Sequence, residues 1–495
     1  FLEEFVDVPH YELSVAERIV IQVQDENNRP VANAVVSILS EGQEVVSGKT
    51  TADGSYQFNP SGYPASGPGY RAVARSAIQA GGQAGGDASI DFDRFGERNL
   101  VAKLDAQRAI LDTVPLDILF VLDTTGSMGE EIHRLRATIE LIYLNLTSMS
   151  SRPDVRFGMV LYKDIGDEYD TRVVPLTGDL EEFRRALNLV EASGGGDTPE
   201  NLQAALERAL REIEWNPAGV RLGFVITDAP PHLDYGQEYT YAHASRDARA
   251  AGIKLFSVGT GGLPLAGEYV LRQIAQYTGG KYIFLTYGES GESEGGVIGS
   301  VSHHTGANYQ TGKLEAIIIR FAKEELSHLS DDPLAGDDPY FEATRIDGEE
   351  REETLEKLFR MAVDQLSDFS TFAIGADTVA AVLPIEAASD QTLLDAEYFT
   401  EQMLLSLADS EEFTLIERQN VQDIIDELKF QLIGLTDSTQ VVEIGNLLNA
   451  EVLITGKLYV PGDYELFLRL LRVENGEVLS VTKAVIDREL GIGVR

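Results

Sequence analysis

The sequence contains no cysteine, one tryptophan and only 40 basic residues against 81 acidic ones. The missing cysteine excludes disulfides, thiolate metal sites and a cysteine nucleophile, and it excludes lipidation of an N-terminal cysteine in the chain as given. Phosphate backbones are bound through Lys and Arg, and the net charge is −41 with no basic block. We therefore expect neither nucleic acid nor an anionic membrane as a partner.

Long apolar runs are also missing. No stretch reaches the roughly 18 apolar residues that a membrane-spanning helix needs, so we predict no membrane span. No basic segment followed by an apolar one opens the chain, and any export signal is expected to have been removed or never present. The 495 residues are 43% hydrophobic, a length and composition typical of several folded domains. The acidic surplus fits either a salt-rich habitat or ordinary solvated faces.

Residues 17–60 alternate apolar and polar side chains at the period of a β-strand, for example in Arg18–Gln24. Asp53 and Gly54 supply a tight hairpin. We predict a small antiparallel sandwich over residues 1–110, with a long Gly-rich loop at 61–86 and a closing strand at 99–104. The stretches Val23–Val35 and Thr50–Tyr56 resemble carboxypeptidase-regulatory-like, Ig-type modules of exported proteins.

From residue 116 the pattern changes to short, almost continuous apolar strands that alternate with helical stretches. Strands that are apolar on both faces indicate a mostly parallel sheet with helices on each side. We therefore predict a doubly wound, Rossmann-like α/β domain over residues 115–329. The predicted strands are Asp117–Leu122, Arg156–Tyr162, Arg221–Ile226, Lys254–Val258 and Lys281–Leu285.

Three polar motifs follow strands or precede helices of this domain. Asp123–Ser127 reads Asp-Thr-Thr-Gly-Ser after the first strand, Gly194–Glu200 precedes a helix at Leu202, and Asp228 follows a third strand. Because ligands of open parallel sheets lie at the carboxyl ends of the strands, these motifs are expected to converge. The alternative for each motif alone is that Asp or Ser merely caps the next helix.

Together the motifs resemble the metal-ion-dependent adhesion site of von Willebrand factor A domains, with Thr125 where many members carry Ser. The resemblance implies a metal held by five ligands, Asp123, Thr125, Ser127, Thr198 and Asp228. Hydroxyl and carboxylate oxygens suit Mg²⁺ or Mn²⁺, with Ca²⁺ as an alternative. If the two acids act largely through water, the ion keeps enough charge to attract an Asp or Glu of a partner protein.

Residues 330–349 read as an acidic linker, because Pro, Gly and Asp dominate Ser330–Pro339. Beyond it, residues 350–495 again alternate helices and strands, with a predicted helix at Val421–Leu428 and a hairpin around Asn475 and Gly476. Five stretches of this segment together resemble the periplasmic α/β domain of curli-secretion-type (CsgG/FlgO-like) envelope lipoproteins, which implies a module for assembly. They are Val382–Ile385, Phe413–Arg418, Val421–Leu428, Ile444–Ala450 and Val452–Gly456. The segment lacks the lipidated cysteine of those lipoproteins and a barrel-forming insertion, which argues against a secretion pore.

The sequence thus predicts a multidomain, extracytoplasmic protein that is secreted, periplasmic or on the cell surface. Its predicted function is metal-dependent binding of a protein ligand that offers an Asp or Glu. The alternative is a structural subunit of a surface filament or envelope ring, forming a homo-oligomer in which the metal stabilises a subunit contact. An enzyme such as a metal-assisted hydrolase ranks third, because no general base is placed beside the metal motifs, and no catalytic residue is predicted.

Overall fold

A computed structural model describes residues 8–13, 15, 17–63, 69–76, 86–109, 111, 113–149, 153–196, 198–285, 310–311, 314–329, 351–370, 374–389, 392–408, 413–416, 445, 447–459 and 464–486. These residues form two compact units. One contains the described residues up to 139 and from 153 to 329, and the other contains 140–149 and those from 351 onward. The predicted linker at 330–349 and the predicted helix at 421–428 lie outside the described residues.

Seven strands of the first unit form a two-sheet β-sandwich, with sheet orders β4-β1-β7 and β3-β2-β5-β6. The alternating side chains of the first strand bury Ile19, Ile21 and Val23 between the sheets. Every pair is antiparallel except β1 with β7, which is parallel; the antiparallel prediction is wrong for that pair alone. The strands are β1 (Ile19–Gln24), β2 (Val35–Ser40), β3 (Gln43–Lys49), β4 (Ser55–Phe58), β5 (Gly69–Arg75), β6 (Asp87–Asp93) and β7 (Asn99–Lys103).

Strand β5 lies inside residues 61–86, which the sequence predicted as a loop, and the prediction is wrong there. Tyr70, Ala72 and Ala74 are buried on the core side of the strand. Two of these three side chains are only methyl groups, so the alternation is weak in the sequence beside the surrounding glycines and prolines. Pairing with β2 and β6 decides the conformation.

The central sheet of the first unit has seven strands in the order β10-β9-β8-β11-β12-β13-β14. All neighbours are parallel except the edge strand β10, which is antiparallel to β9. The strands are β8 (Pro115–Asp123), β9 (Asp154–Tyr162), β10 (Thr171–Thr177), β11 (Val220–Thr227), β12 (Lys254–Gly259), β13 (Tyr282–Leu285) and β14 (Gln310–Thr311). The helices are α1 (Gly129–Thr147), α2 (Leu180–Asn188), α3 (Leu202–Arg211), α4 (Tyr241–Ala251), α5 (Leu265–Thr278) and α6 (Leu314–Ser327).

Both faces of this sheet are buried, as the apolar strands predicted. Leu119 and Val121 of β8 face a core formed with α3, α4 and α5. Phe120, between them, faces the opposite side. There it joins a row of aromatic rings that runs from α2 to α6 through Phe183, Phe157, Phe120, Phe224, Phe256 and Phe321. The predicted fold class, a β-sandwich followed by two α/β domains with helices on both faces of the central sheet, is confirmed.

The order of the strands produces a switch point at the carboxyl ends of β8 and β11. Strand β8 pairs with β9 on one side and with β11 on the other. The chain leaves β8 toward β9 and later returns to the opposite neighbour β11, so the strand order reverses beside β8. Such a switch point is where open α/β sheets hold their ligands.

Buried ion pairs and hydrogen bonds connect the sandwich to the central sheet. The Nζ of Lys254, at the start of β12, lies 3.0 Å from Asp53 of the sandwich and 2.6 Å from Glu325 of α6. Arg249 of α4 donates to the Tyr63 hydroxyl at 2.8 Å. Hydrogen bonds and ion pairs between these polar side chains therefore hold the sandwich against the α/β part of the same unit.

A short segment before the sandwich packs on the central sheet's helices. The backbone N–H of Tyr11 donates to the hydroxyl of Tyr241 at 2.8 Å, and that hydroxyl donates to Gln273 at 2.7 Å. Leu13 is buried in the core that α3, α4 and α5 share with the sheet. These N-terminal residues thus contribute to the α/β core rather than to the sandwich that follows them.

The second unit contains a six-stranded mixed sheet with path order β17-β15-β18-β19-β20, while β16 pairs with β18. Asn475 and Gly476 form the turn of the predicted hairpin, and Gly476 has a φ of +72°. Helices α7 and α8 contribute Phe359 and Phe399 to its main core. Its elements are α7 (Arg351–Asp368), β15 (Val379–Val382), β16 (Glu386–Ala387), α8 (Leu393–Ala408), β17 (Thr414–Leu415), β18 (Val452–Tyr459), β19 (Tyr464–Arg472) and β20 (Val478–Ile486).

None of the helices in the described part of the chain has the length and apolar composition required to cross a membrane.

Candidate metal centre

The first ligand loop, residues 123–128, follows directly from β8. Asp123 is fully buried, and its Oδ1 accepts hydrogen bonds from the backbone N–H of Thr125 at 3.0 Å and from its hydroxyl at 2.7 Å. Its Oδ2 accepts a hydrogen bond from the hydroxyl of Thr227 at 2.7 Å. Both carboxylate oxygens are therefore held in place, one by the loop itself and one by the neighbouring strand β11.

The third ligand loop begins at Asp228, directly after β11, and β11 runs parallel to β8 with Ile226 opposite Leu122. The two acids Asp123 and Asp228 thus end adjacent strands at the same edge of the sheet. The hydroxyl of Ser127 interacts with the carboxylate of Asp228 and opposes the rise in its pKa. Four of the five predicted ligands are therefore connected pairwise, Thr125 with Asp123 and Ser127 with Asp228.

The second ligand loop, residues 193–200, lies against the first. The backbone N–H of Gly126 donates to the carbonyl of Gly194 at 3.1 Å. Gly195 has a φ of +72°, and a Cβ there would lie 2.7 Å from the Cβ of Thr125, so a larger residue would push the loops apart. Thr198 lies on this loop with an exposed side chain. The structure thus brings the loop of Thr198 to the same edge as the other four predicted ligands.

The carboxylates at this edge have raised pKa values. Burial raises the pKa of Asp123 to about 6, and the charge of Asp228 adds to the rise. Burial also raises the pKa of Asp228, against the effect of Ser127. Burial and the charge of Asp123, followed by those of other nearby acids, raise the pKa of Glu200 to about 8. Burial is therefore the main cause of all three rises, and repulsion between the acids adds to it for Asp123 and Glu200.

Glu200 and Glu131 were not among the residues that the sequence singled out. Burial raises the pKa of Glu131 to about 7, and Asp228 is among the charges that contribute. Its carboxylate accepts a hydrogen bond from Thr260 after β12. Glu200 ends the Gly194–Glu200 motif, and Glu131 lies in the first turn of α1, where an acid is expected simply to complement the helix dipole. Their burial, which only the fold reveals, distinguishes them from such acids.

The residues at this edge fit a divalent cation. Glu200 is 3% exposed, and its Oε2 has no hydrogen-bond partner within the described chain. No three His, Asp or Glu side chains of the described residues converge as a metal-binding group, so a cation here would depend on alcohols as well as acids. The predicted set provides both, with three hydroxyls and two carboxylates, and all are the hard oxygen donors that Mg²⁺ prefers. Metal ligation by these five residues stays a prediction.

Comparisons with known proteins agree with the architecture. The family model of the von Willebrand factor A domain matches residues 117–249, and that of the curli production assembly/transport component CsgG matches residues 369–460. The chain therefore contains a von Willebrand factor A-type domain and a CsgG-like domain, and both predicted resemblances are confirmed. The resemblance of the sandwich to carboxypeptidase-regulatory-like modules stays a prediction.

Three relatives illustrate how far the likeness extends. The mouse von Willebrand factor A domain-containing protein 7 is 39% identical over 123 residues, which are 25% of this chain and 13% of that protein. The alpha-protein kinase vwkA of Dictyostelium discoideum is 30% identical over 147 residues, 29% of this chain and 22% of the kinase. Integrin beta-6 of Cavia porcellus is 21% identical over 223 residues, 38% of this chain and 27% of the integrin. The chain spans less than a third of each of these relatives.

Proposed function

Starting from a von Willebrand factor A-type domain in one chain with a CsgG-like domain, we propose that this protein binds a partner protein through a divalent cation. Asp123, Thr125, Ser127, Thr198 and Asp228 are the proposed ligands, and Mg²⁺ is the proposed ion, with Mn²⁺ or Ca²⁺ as alternatives. The proposed site of action is extracytoplasmic. We propose three domains, a sandwich at 1–110, the binding domain at 115–329 and an assembly domain at 350–495.

The observation that carries this proposal is the concentration of carboxylates at one edge of the sheet, two of them buried (Asp123 and Glu200) and one half-buried (Asp228). Asp123, Asp228 and Glu200 all have raised pKa values, which means that ionising them together is unfavourable without a nearby positive charge. A bound divalent cation supplies that charge. The prediction that the edge holds a metal is thereby supported by electrostatics as well as by the motif.

The chemistry of the proposed ligands also favours a carboxylate on the partner. Three of the five proposed ligands, Thr125, Ser127 and Thr198, are neutral alcohols. Asp123 already accepts hydrogen bonds at both oxygens, which suits an acid that contacts a cation through water. The protein side therefore leaves part of the cation's charge unneutralised, and a partner's Asp or Glu is the group that such a site attracts.

Two findings support protein binding outside the cytoplasm. The matched relatives include integrin beta-6 and von Willebrand factor A domain-containing protein 7, and integrins are adhesion proteins. The match to a curli production assembly/transport component points to the cell envelope. Adhesion or binding at the cell surface, in the periplasm or in secreted form follows as the proposed setting.

Calorimetric titration of the full chain with Mg²⁺ and Mn²⁺ tests the metal. We expect binding by the wild type, loss of binding in Asp123→Ala and weakened binding in Thr198→Ala. Asp117→Asn is the matched control, because Asp117 is an equally buried acid at the opposite end of β8 and pairs with Arg156. It should lower stability and leave the metal affinity unchanged. Wild type that binds neither ion would refute the proposal.

Capture of a partner tests the binding role separately. The full chain and Asp123→Ala are each immobilised and exposed to proteins of the envelope or surface, with Mg²⁺ or with EDTA. We expect a partner that is retained only by the wild type and only with Mg²⁺. Substituting the partner's contacting Asp or Glu by Asn or Gln should abolish retention. Retention that is equal with EDTA would contradict a metal-dependent contact.

The second candidate function is a structural subunit of a filament or envelope ring, and the CsgG-like domain favours it. In that case the metal stabilises a contact between identical chains. Size-exclusion chromatography with and without chelator distinguishes the two functions. Chelator-driven disassembly of an oligomer indicates the structural role, whereas an unchanged elution volume with lost partner capture indicates adhesion.

A metal-assisted hydrolase is the remaining alternative. The raised pKa of Glu200 would suit a general base, but the same rise follows simply from crowding buried acids together. We propose that the site binds and does not catalyse. Turnover of phosphate esters that disappears in both Asp123→Ala and Glu200→Gln would contradict this.

A further inference from the structure

Lys163 joins two of the three ligand loops. It directly follows β9, and its side chain is fully buried. Its Nζ donates to the backbone carbonyl of Thr124 in the first ligand loop at 2.7 Å. In the second ligand loop it donates to the hydroxyl of Ser193 at 3.1 Å and also to the Ser193 carbonyl. One ammonium group thus donates hydrogen bonds to both loops.

All three hydrogen-bond acceptors of this ammonium are neutral oxygens. A buried ammonium is unfavourable unless negative charge compensates it. The largest compensating charges are those of Asp167 and Glu168, and the charges of Asp123 and Glu200 at the candidate metal centre add to them. The lysine is therefore attracted by the carboxylates and yet hydrogen-bonded to the loops, so the carboxylate oxygens stay available to other groups.

The loops that Lys163 connects make few other described hydrogen bonds to each other. The Gly126 N–H donates to the Gly194 carbonyl at 3.1 Å, and the Ser193 N–H donates to the Thr124 carbonyl at 3.1 Å. The Thr124 carbonyl thus accepts both from Ser193 and from Lys163. Removal of the ammonium would leave the two loops connected by these two backbone hydrogen bonds.

We propose that Lys163 is a positioning residue of the metal centre, which holds the first and second ligand loops at the separation required for cation binding before the cation arrives. This inference rests on the proposed function, since it assigns a role within that site. Two effects of the lysine oppose each other. Its charge repels a cation, and its hydrogen bonds prearrange the ligands. The inference states that prearrangement dominates.

The sign of the change in metal affinity separates these effects. In Lys163→Met we expect Mg²⁺ and Mn²⁺ to bind at least about tenfold more weakly in calorimetry of the full chain, a loss of the size seen when groups that hold metal ligands in place are removed. Loss of repulsion alone would strengthen binding. Lys254→Met is the matched control, because it also removes a buried lysine of the same unit, but one that bonds Asp53 and Glu325. It should be destabilised with unchanged affinity.

Hydrogen exchange of the metal-free protein provides a second readout. The amide of Gly126, which bridges the two loops, should exchange faster in Lys163→Met and at the wild-type rate in Lys254→Met, measured well below the melting temperature of each. If Lys163→Met does not fold, Ser193→Ala removes one acceptor from an exposed residue and should weaken binding a few-fold.

The outcomes distinguish this inference from the proposed function. Wild type that binds no divalent cation refutes both. Wild type that binds, together with equal or tighter binding by Lys163→Met, or by Ser193→Ala where the first variant is unfolded, refutes the role of Lys163 and leaves the metal centre standing. Weaker binding by Lys163→Met and equally weaker binding by Lys254→Met also refutes it, because general destabilisation would then explain both.

Discussion

The hydroxyl of Thr227, at the end of β11, donates a hydrogen bond at 2.7 Å to Oδ2 of Asp123, at the end of β8. The order in which the chain adds strands to the central sheet reverses at this pair of strands. The two residues lie 104 positions apart in the chain, yet each ends its strand at the same level. Thr227 is itself fully buried. The orientation of the first predicted metal ligand is therefore decided by a neighbouring strand as much as by its own loop.

Removing this hydroxyl should disturb the metal centre. We expect Thr227→Val to lower Mg²⁺ affinity about tenfold, because residues that orient metal ligands typically contribute that much. Stability should fall by about 1–3 kcal/mol, since a buried carboxylate oxygen loses its donor. Thr227→Ser keeps the hydroxyl and should bind like the wild type. Calorimetry and urea unfolding measure both effects, and wild-type affinity in Thr227→Val would show that Asp123 needs no support from β11.

Metal should raise the thermal stability of the protein. A ligand at about 100 times its Kd stabilises the folded state by roughly 2.7 kcal/mol, so we expect a rise in melting temperature with Mg²⁺ that EDTA reverses. Asp123→Ala should show no rise. Differential scanning calorimetry with and without metal provides the measurement, and an equal rise in Asp123→Ala would mean that the ion binds elsewhere.

The stability of the protein should depend on the ammonium group of Lys254, which pairs with Asp53 and Glu325. Lys254→Met leaves the buried carboxylate of Glu325 and the half-buried one of Asp53 without their positive partner, and breaking a buried ion pair costs about 3–5 kcal/mol. The triple variant Lys254→Met, Asp53→Asn, Glu325→Gln carries no charge and should recover most of the loss. Unfolding of the full chain in urea compares them; a single variant as stable as wild type would contradict the buried pairing.

Asp25 should contribute to the acid sensitivity of the sandwich. Burial opposes its ionisation, but the backbone N–H groups of Arg29, Arg108 and Asn27 and the charge of Arg29 outweigh burial and lower its pKa. Because the folded pKa lies below the ordinary value of 3.8, the stabilisation is present above that pH and lost as the pH falls further.

Asp25→Asn is therefore expected to be less stable than wild type near pH 7, by about 1–3 kcal/mol, with a difference that narrows below about pH 4. The control is Asp91→Asn, because Asp91 pairs with Arg71 at an exposed position, where ion pairs contribute little. Unfolding followed by circular dichroism between pH 7 and 3 tests this. A stability difference that widened toward low pH would have the wrong sign.

The sequence predicted most of the central sheet because buried parallel strands are almost continuously apolar. The stretches predicted at 117–122 and 221–226 are the cores of β8 and β11. It missed β10, whose side chains are exposed or half-buried with no clear alternation. An antiparallel edge strand of this kind is stabilised by its hydrogen bonds to β9, and single-sequence patterns do not record those.

The packing of the N-terminal segment is a second feature that the sequence pattern did not predict. Leu13 lies in the core of the α/β domain, although in sequence it precedes the sandwich. Tyr11 of the same segment donates a hydrogen bond to Tyr241, which lies 230 residues further along the chain. A lone leucine and a tyrosine carry no periodic signal, and contacts at such separation are decided only when the chain is folded.

What the sequence determined by itself is the type of most elements, with β5 and β10 as exceptions, and the kind of chemistry at the ends of the strands. The spacing of apolar residues along the chain indicates strands and helices. Asp, Thr and Ser after a buried strand provide hard oxygen donors. Only the tertiary structure decided which acidic side chains are buried away from solvent. Glu200 and Glu131 look in the sequence like ordinary acids near helix starts, and their burial depends on loops from three different strands meeting at one edge. Likewise Lys163 is one basic residue among 40 until the fold buries it between two loops.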